Sequence, residues 1–88
     1  MKAITLVETR RGMQICETTP RYDVFFRGKF FDQLYFNMRG YVGYLPCPSD
    51  NKDMVAKLHI GERGISAYKK EITTLNKEWA KLPDVKME

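Results

Sequence analysis

Apolar and polar residues alternate in short runs over most of this chain, and then the period changes once. Six stretches read as strands, at positions 2–8, 13–18, 22–26, 30–37, 41–45 and 54–60. Each is β-branched, aromatic or alternating in character. Turn signals separate them: Arg10-Arg11-Gly12, Thr19-Pro20, Arg27-Gly28, Arg39-Gly40 and the loop-like Pro46-Cys47-Pro48-Ser49-Asp50-Asn51. From Ile65 the spacing becomes three and four, through Tyr68, Ile72, Leu75, Trp79 and Leu82. That stripe predicts an amphipathic helix at about 65–82, with Lys69, Lys70, Asn76, Lys77 and Lys81 on a solvated face. Ser66 is its expected N-cap and Pro83 its stop, and Lys77 and Lys81 suit the negative end of the helix dipole.

These elements predict an α+β fold in one domain over residues 1–88. An antiparallel, meander-like sheet of five or six short strands carries the C-terminal helix packed on one face. A small, partly closed barrel plugged by the helix is the alternative. The helix stripe also fits a coiled-coil seam, but Tyr68 and Trp79 suit docking on a sheet better.

Nine of the eleven aromatic residues lie between Tyr22 and Tyr44. Adjacent strand residues face opposite ways, so this run places aromatic surface on both faces, and one helix covers only one. Register sorts them. A two-residue loop at Arg27-Gly28 would set Asp23 opposite Asp32, and opposed like charges destabilise a ladder. A three-residue loop, Arg27-Gly28-Lys29, instead pairs Phe26 with Phe30. It gathers Tyr22, Val24, Phe26, Phe30, Leu34, Phe36 and Met38 on one face, interrupted by Asp32. A turn at Arg39-Gly40 then pairs Met38 with Tyr41, Phe36 with Gly43 and Leu34 with Leu45. In this register Tyr22, Phe26, Phe30, Phe36 and Tyr41 belong to the core. The other face keeps Phe25 opposite Phe31 and Tyr35 opposite Tyr44, with Val42. Arg21, Arg27, Lys29 and Arg39 sit around its rim.

Charge adds little. Fifteen Lys and Arg against eleven Asp and Glu give a net charge of +4, compatible with nucleic acid, an acidic protein surface or ordinary solubility. No segment approaches the roughly 18 apolar residues of a membrane span. Glu8, Arg10 and Arg11 cut short the apolar opening, so a cytoplasmic protein is expected rather than a secreted or membrane one. Cys16 and Cys47 are then expected as reduced thiols.

Candidate chemistry is sparse. Cys16, Cys47 and His59 have neither zinc-ligand spacing nor a sequence reason to meet as a nucleophile and base. Asp23 with Asp32 or Glu17 reads as surface ion pairing rather than an acid–base pair. Gly61-Glu62-Arg63-Gly64 lacks the Gly-Lys-Ser/Thr ending of a phosphate loop. Arg39-Gly40-Tyr41 agrees with the first three positions of the RNA-recognition RNP1 pattern, after which the chain departs from it. No catalytic residue, cofactor or metal is expected.

The expectation is therefore a small non-enzymatic protein-interaction module. Phe25, Phe31, Tyr35 and Tyr44 are its anchors and Arg21, Arg27, Lys29 and Arg39 its rim, for homodimerisation or binding another protein. The alternative is a single-stranded RNA or DNA binder using the same face, because aromatics ringed by cations suit base stacking and phosphate contact.

Overall fold

A computed structural model describes residues 2–51 and 54–82; Pro83 lies outside them. The described strands are β1 (Ile4–Thr9), β2 (Arg21–Phe26), β3 (Lys29–Asn37), β4 (Gly40–Val42), β5 (Tyr44–Pro48) and β6 (Val55–His59), followed by helix α1 (Ile65–Ala80). The fold is α+β, with every strand pair antiparallel. The sheet divides at Gly43 into a four-stranded part, β1-β2-β3-β4, and a two-stranded part, β5-β6. A Cβ on Gly43 would collide with the Leu34 side chain, so the bare backbone there lets the chain bend over the core. Residues 60–63 return along β4, where Tyr41 and Arg63 exchange backbone hydrogen bonds of 2.7 and 3.3 Å.

The β2–β3 register combines the two readings of its turn. The loop is Arg27-Gly28, both with positive φ (51° and 85°), the signature of a two-residue hairpin turn. It pairs Phe26 with Lys29 and Phe25 with Phe30. A bulge then absorbs Phe31, and from Val24 onward the pairing is Val24 with Asp32, Asp23 with Gln33 and Tyr22 with Leu34. Past the bulge this is the expected register, and it separates Asp23 from Asp32. Before it, the expected pairing of Phe26 with Phe30 and of Phe25 with Phe31 is wrong by one residue. Arg27 is held in its unusual conformation by its N–H, which donates to the Ala3 carbonyl at 2.8 Å. Its guanidinium also lies over the Phe26 and Trp79 rings.

The next turn is Met38-Arg39, not Arg39-Gly40, so Phe36 faces Tyr41 and Tyr35 faces Val42. Gly40 lies in the strand because a Cβ there would stand 2.7 Å from the Arg63 backbone nitrogen. The slip of two positions preserves the faces but removes the expected pairs of Tyr35 with Tyr44 and Leu34 with Leu45.

Two other expectations fail. Segment 13–18 is not a strand; residues 10–20 form a loop that crosses the outer face of the sheet. Pro46-Cys47-Pro48 is not a loop but part of β5. Pro46 and Pro48 direct their nitrogens away from β6, where no ladder bond is needed. Side chains serve that edge instead: the Tyr44 N–H donates to Asp32 Oδ2 (2.8 Å), and Trp79 Nε1 donates to the Pro46 carbonyl (3.0 Å).

The core contains Ile4, Val24, Phe26, Leu34, Tyr41 and Leu45 from the strands and Tyr68, Ile72, Leu75 and Trp79 from the helix. Each large apolar side chain so buried contributes about 1.5–3 kcal/mol. The helix stripe is as expected except at its ends. Gly64, not Ser66, occupies the N-cap position, and Leu82 lies beyond the last turn, 43% exposed. Asn76 is not on a solvated face. Its carboxamide accepts from the Ile4 N–H (2.7 Å) and donates to the Ile4 carbonyl (3.2 Å), tying the helix to β1.

Candidate functional site

The outer face of the sheet is polar at its centre. Asp23 and Gln33 stand opposite each other there, and the 10–20 loop answers them with its own side chains. Asp23, only 5% exposed, accepts from Arg11 Nη2 (2.9 Å) and Gln33 Nε2 (3.0 Å). Gln33 Nε2 also reaches the Arg11 carbonyl, and Gln33 Oε1 accepts from Arg21 Nη1. Arg21 closes the loop on Glu17 through bonds of 2.6 and 3.1 Å. That bond, helped by the Gln14 N–H, holds the Glu17 carboxyl below its usual range. The middle of the expected aromatic face is thus covered by the chain itself.

The predicted anchors separate accordingly. Phe25 is half-buried and makes an edge contact with Phe30, ring centroids 6.1 Å apart. Phe31 leaves the face altogether; as the bulge residue it packs against the core. Tyr35 and Tyr44 remain 49% and 43% exposed. They line an open cleft of about 350 Å³ with Val42, Asp32, Asn37 and His59, where the Tyr44 ring lies 5.1 Å from that of His59. Neither cysteine lines this cleft. Cys16 lies exposed in the 10–20 loop, and Cys47 is a half-buried free thiol in β5, pushed up in pKa by burial.

The rim residues separate as well. Arg21 is bound to Glu17, and Arg27 lies over the Phe26 and Trp79 rings against the helix. Lys29 is exposed beside the first turn. Arg39 is exposed at the second, 3.9 Å from the Glu62 carboxylate. Arg11, absent from the expected rim, takes a place on the face through Asp23 and lies over the Phe30 ring.

Phe30 and Phe36 are expected in the core and Met38 on the same apolar face, and the structure exposes them by 49%, 45% and 99%. Beyond Leu34, β3 pairs only with β4. The hairpin from Tyr35 to Val42 therefore carries aromatic residues on both faces, with Met38 at its tip. Phe36 rests by its edge on Tyr41, which in turn meets Tyr22. The shift of Phe30 follows from the bulge, which no local signal announces. Met38 could have been found, because Asn37 is a turn former and its Oδ1 accepts from the Arg39 N–H (2.9 Å).

Among the described residues no group of three or more His, Cys, Asp or Glu is arranged to hold a metal ion. No described helix is long and apolar enough to cross a membrane. The chain matches no protein-family model, no curated protein and no solved structure.

Proposed function

We propose that this chain is a small, non-enzymatic protein-interaction module. Its contact surface is the β3–β4 hairpin and the cleft beside it: Tyr35, Phe36 and Met38, with Tyr44 as neighbour. The observation that carries the reading is the exposure of Tyr35, Phe36 and Met38 within four consecutive residues. Aromatic residues, Met and Arg are the types enriched at protein contacts, and clustered apolar exposure is unusual on a monomer. Arg39 and Glu62 place both signs of charge beside the apolar strip. Such a surface complements itself across a twofold axis, so a second copy is the partner we name first.

Nucleic acid is the second reading, resting on the exposed rings of Tyr35 and Tyr44. It is the weaker one because Arg11, Arg21 and Arg39 each face a carboxylate, and Asp32 lies in the cleft. Phosphate binding needs uncommitted cations.

Light scattering coupled to size exclusion tests both readings. The chain alone is expected above its monomer mass of 10.3 kDa, returning to it in Met38→Asp with an unchanged circular dichroism spectrum. A chain that stays monomeric and gains mass only with mixed RNA or DNA oligonucleotides overturns the protein reading. Phe31→Asp is unsuitable for this test, since Phe31 packs against the core.

A further inference from the structure

The outer edge of β1 is a partly filled strand position. Ala3 directs its carbonyl toward β2, where it accepts from the Arg27 N–H. Ile4 directs both its N–H and its carbonyl the other way, to Asn76. Because this orientation alternates along an antiparallel strand, Thr5, Val7 and Thr9 pair inward with β2. Leu6 and Glu8 then offer their N–H and carbonyl groups outward, on the same edge as Ile4. Asn76 thus supplies the first rung of a further strand, and no described residue supplies the next two.

A groove of about 700 Å³ runs along this edge between β1 and α1. Leu6 and Ile72 make its apolar lining, and Lys2, Lys69 and Lys77 are its cations. No described carboxylate pairs with these lysines. Glu8 is the one carboxylate on the exposed edge, at its far end.

We propose that this groove accepts an extended acidic peptide segment, added to the sheet as a strand beside β1. Backbone bonds to Leu6 and Glu8 continue the rung that Asn76 begins. The segment's alternate side chains, on the face toward α1, are an apolar one between Leu6 and Ile72 flanked by carboxylates that meet the lysines. Main-chain pairing supplies affinity and alternate side chains supply specificity in this mode of recognition. An unpaired edge is otherwise a route to unwanted association. The site is separate from the β3–β4 hairpin and does not depend on the function proposed for it.

The test is a titration of the ¹⁵N-labelled chain with the seven-residue peptide Thr-Glu-Thr-Val-Thr-Glu-Thr, which puts both glutamates and the valine on one strand face, against its counterpart with lysine for glutamate. The acidic peptide is expected to shift the Leu6, Glu8, Lys69 and Thr73 amides, with affinity falling as salt rises. Lys69→Glu combined with Lys77→Glu is expected to weaken it more than tenfold. Two substitutions at Glu8 separate backbone pairing from charge. Glu8→Gln removes a repelling carboxylate and should tighten binding. Glu8→Pro removes the same charge and also the outward N–H, while sparing the β1–β2 ladder. It should bind about fivefold more weakly than Glu8→Gln, the worth of one hydrogen bond. The proposal is overturned if the lysine peptide binds equally well or if Glu8→Pro binds as tightly as Glu8→Gln. It is also overturned if the shifts fall on Tyr35 and Tyr44, or if oligonucleotides or added unlabelled chain reproduce them at β1.

Discussion

Removing the Asp23 carboxylate should open the 10–20 loop and lower global stability by about 2–3 kcal/mol. Hydrogen bonds to a charged group contribute about 1.5–3 kcal/mol each, and Asp23 accepts two, from Gln33 and Arg11. The Gln33 bond counts nearly in full because Asp23 is 5% exposed. The Arg11 bond counts for less than about 1 kcal/mol, since the Arg11 side chain is 63% exposed and water replaces its partner. The Gln33 N–H freed from Asp23 adds little to the loss, because Gln33 is only half-buried and the opened loop admits water to it. Asp23→Asn keeps an acceptor for Gln33 and should cost only about 1 kcal/mol. Urea denaturation measures the global term. Limited trypsin digestion reads the loop, because Arg10 and Arg11 lie in it, while cleavage after Lys69 or Lys70 requires the helix to unfold. Asp23→Ala is expected to accelerate both cuts, whereas Asp23→Asn should favour the loop cuts over the helix cuts. A stability change under about 0.5 kcal/mol for Asp23→Ala, with loop cleavage unaltered, would mean that this network does not hold the loop.

Two further outcomes test the core. Tyr68 is fully buried, and burial pushes its phenol from 10.0 up to about 12. The unfolded phenol therefore loses its proton first: stability is full below pH 10 and falls as pH rises toward 12. About 1.4 kcal/mol is gone by pH 11, and urea titrations at pH 9 and 11 should show that Tyr68→Phe removes this part of the slope. Gly40→Ala should cost about 3 kcal/mol, because the new Cβ meets Arg63 backbone at φ 139°. Thermal melting measures it, and a loss under about 1 kcal/mol would contradict the close approach.

The helix was legible because Tyr68, Ile72, Leu75 and Trp79 repeat at the helical period and all four are buried. Its first residue was legible too, but its cap was not, because a Ser is a better N-cap by propensity than the Gly64 that the strand-to-helix turn places there. Met13 and Ile15 alternate like a strand, yet Ile15 is fully exposed. What fixes this segment is polar contact with Asp23 and Gln33, which are remote along the chain, together with the local pair of Glu17 and Arg21. Pro46 and Pro48 look like loop residues one at a time. Taken together, their spacing of two puts both missing N–H groups on one edge, a pattern compatible with an edge strand.

The candidate site turned on a single residue. The turn at Arg27-Gly28 and the separation of Asp23 from Asp32 demand registers that differ by one, and each demand is physically sound. The chain satisfies both by inserting Phe31 as a bulge. That choice exchanges neighbouring aromatics: Phe31 packs against the core, and Phe30 turns outward to meet Phe25 and Arg11. Tyr35 escapes the exchange because it lies beyond the bulge, where the simple alternation resumes. Composition therefore identified the aromatic segment that carries exposed surface. Which rings remain exposed depends on long-range contacts, such as Leu34 against Gly43 and Arg63 against Gly40, that no window of neighbouring residues contains.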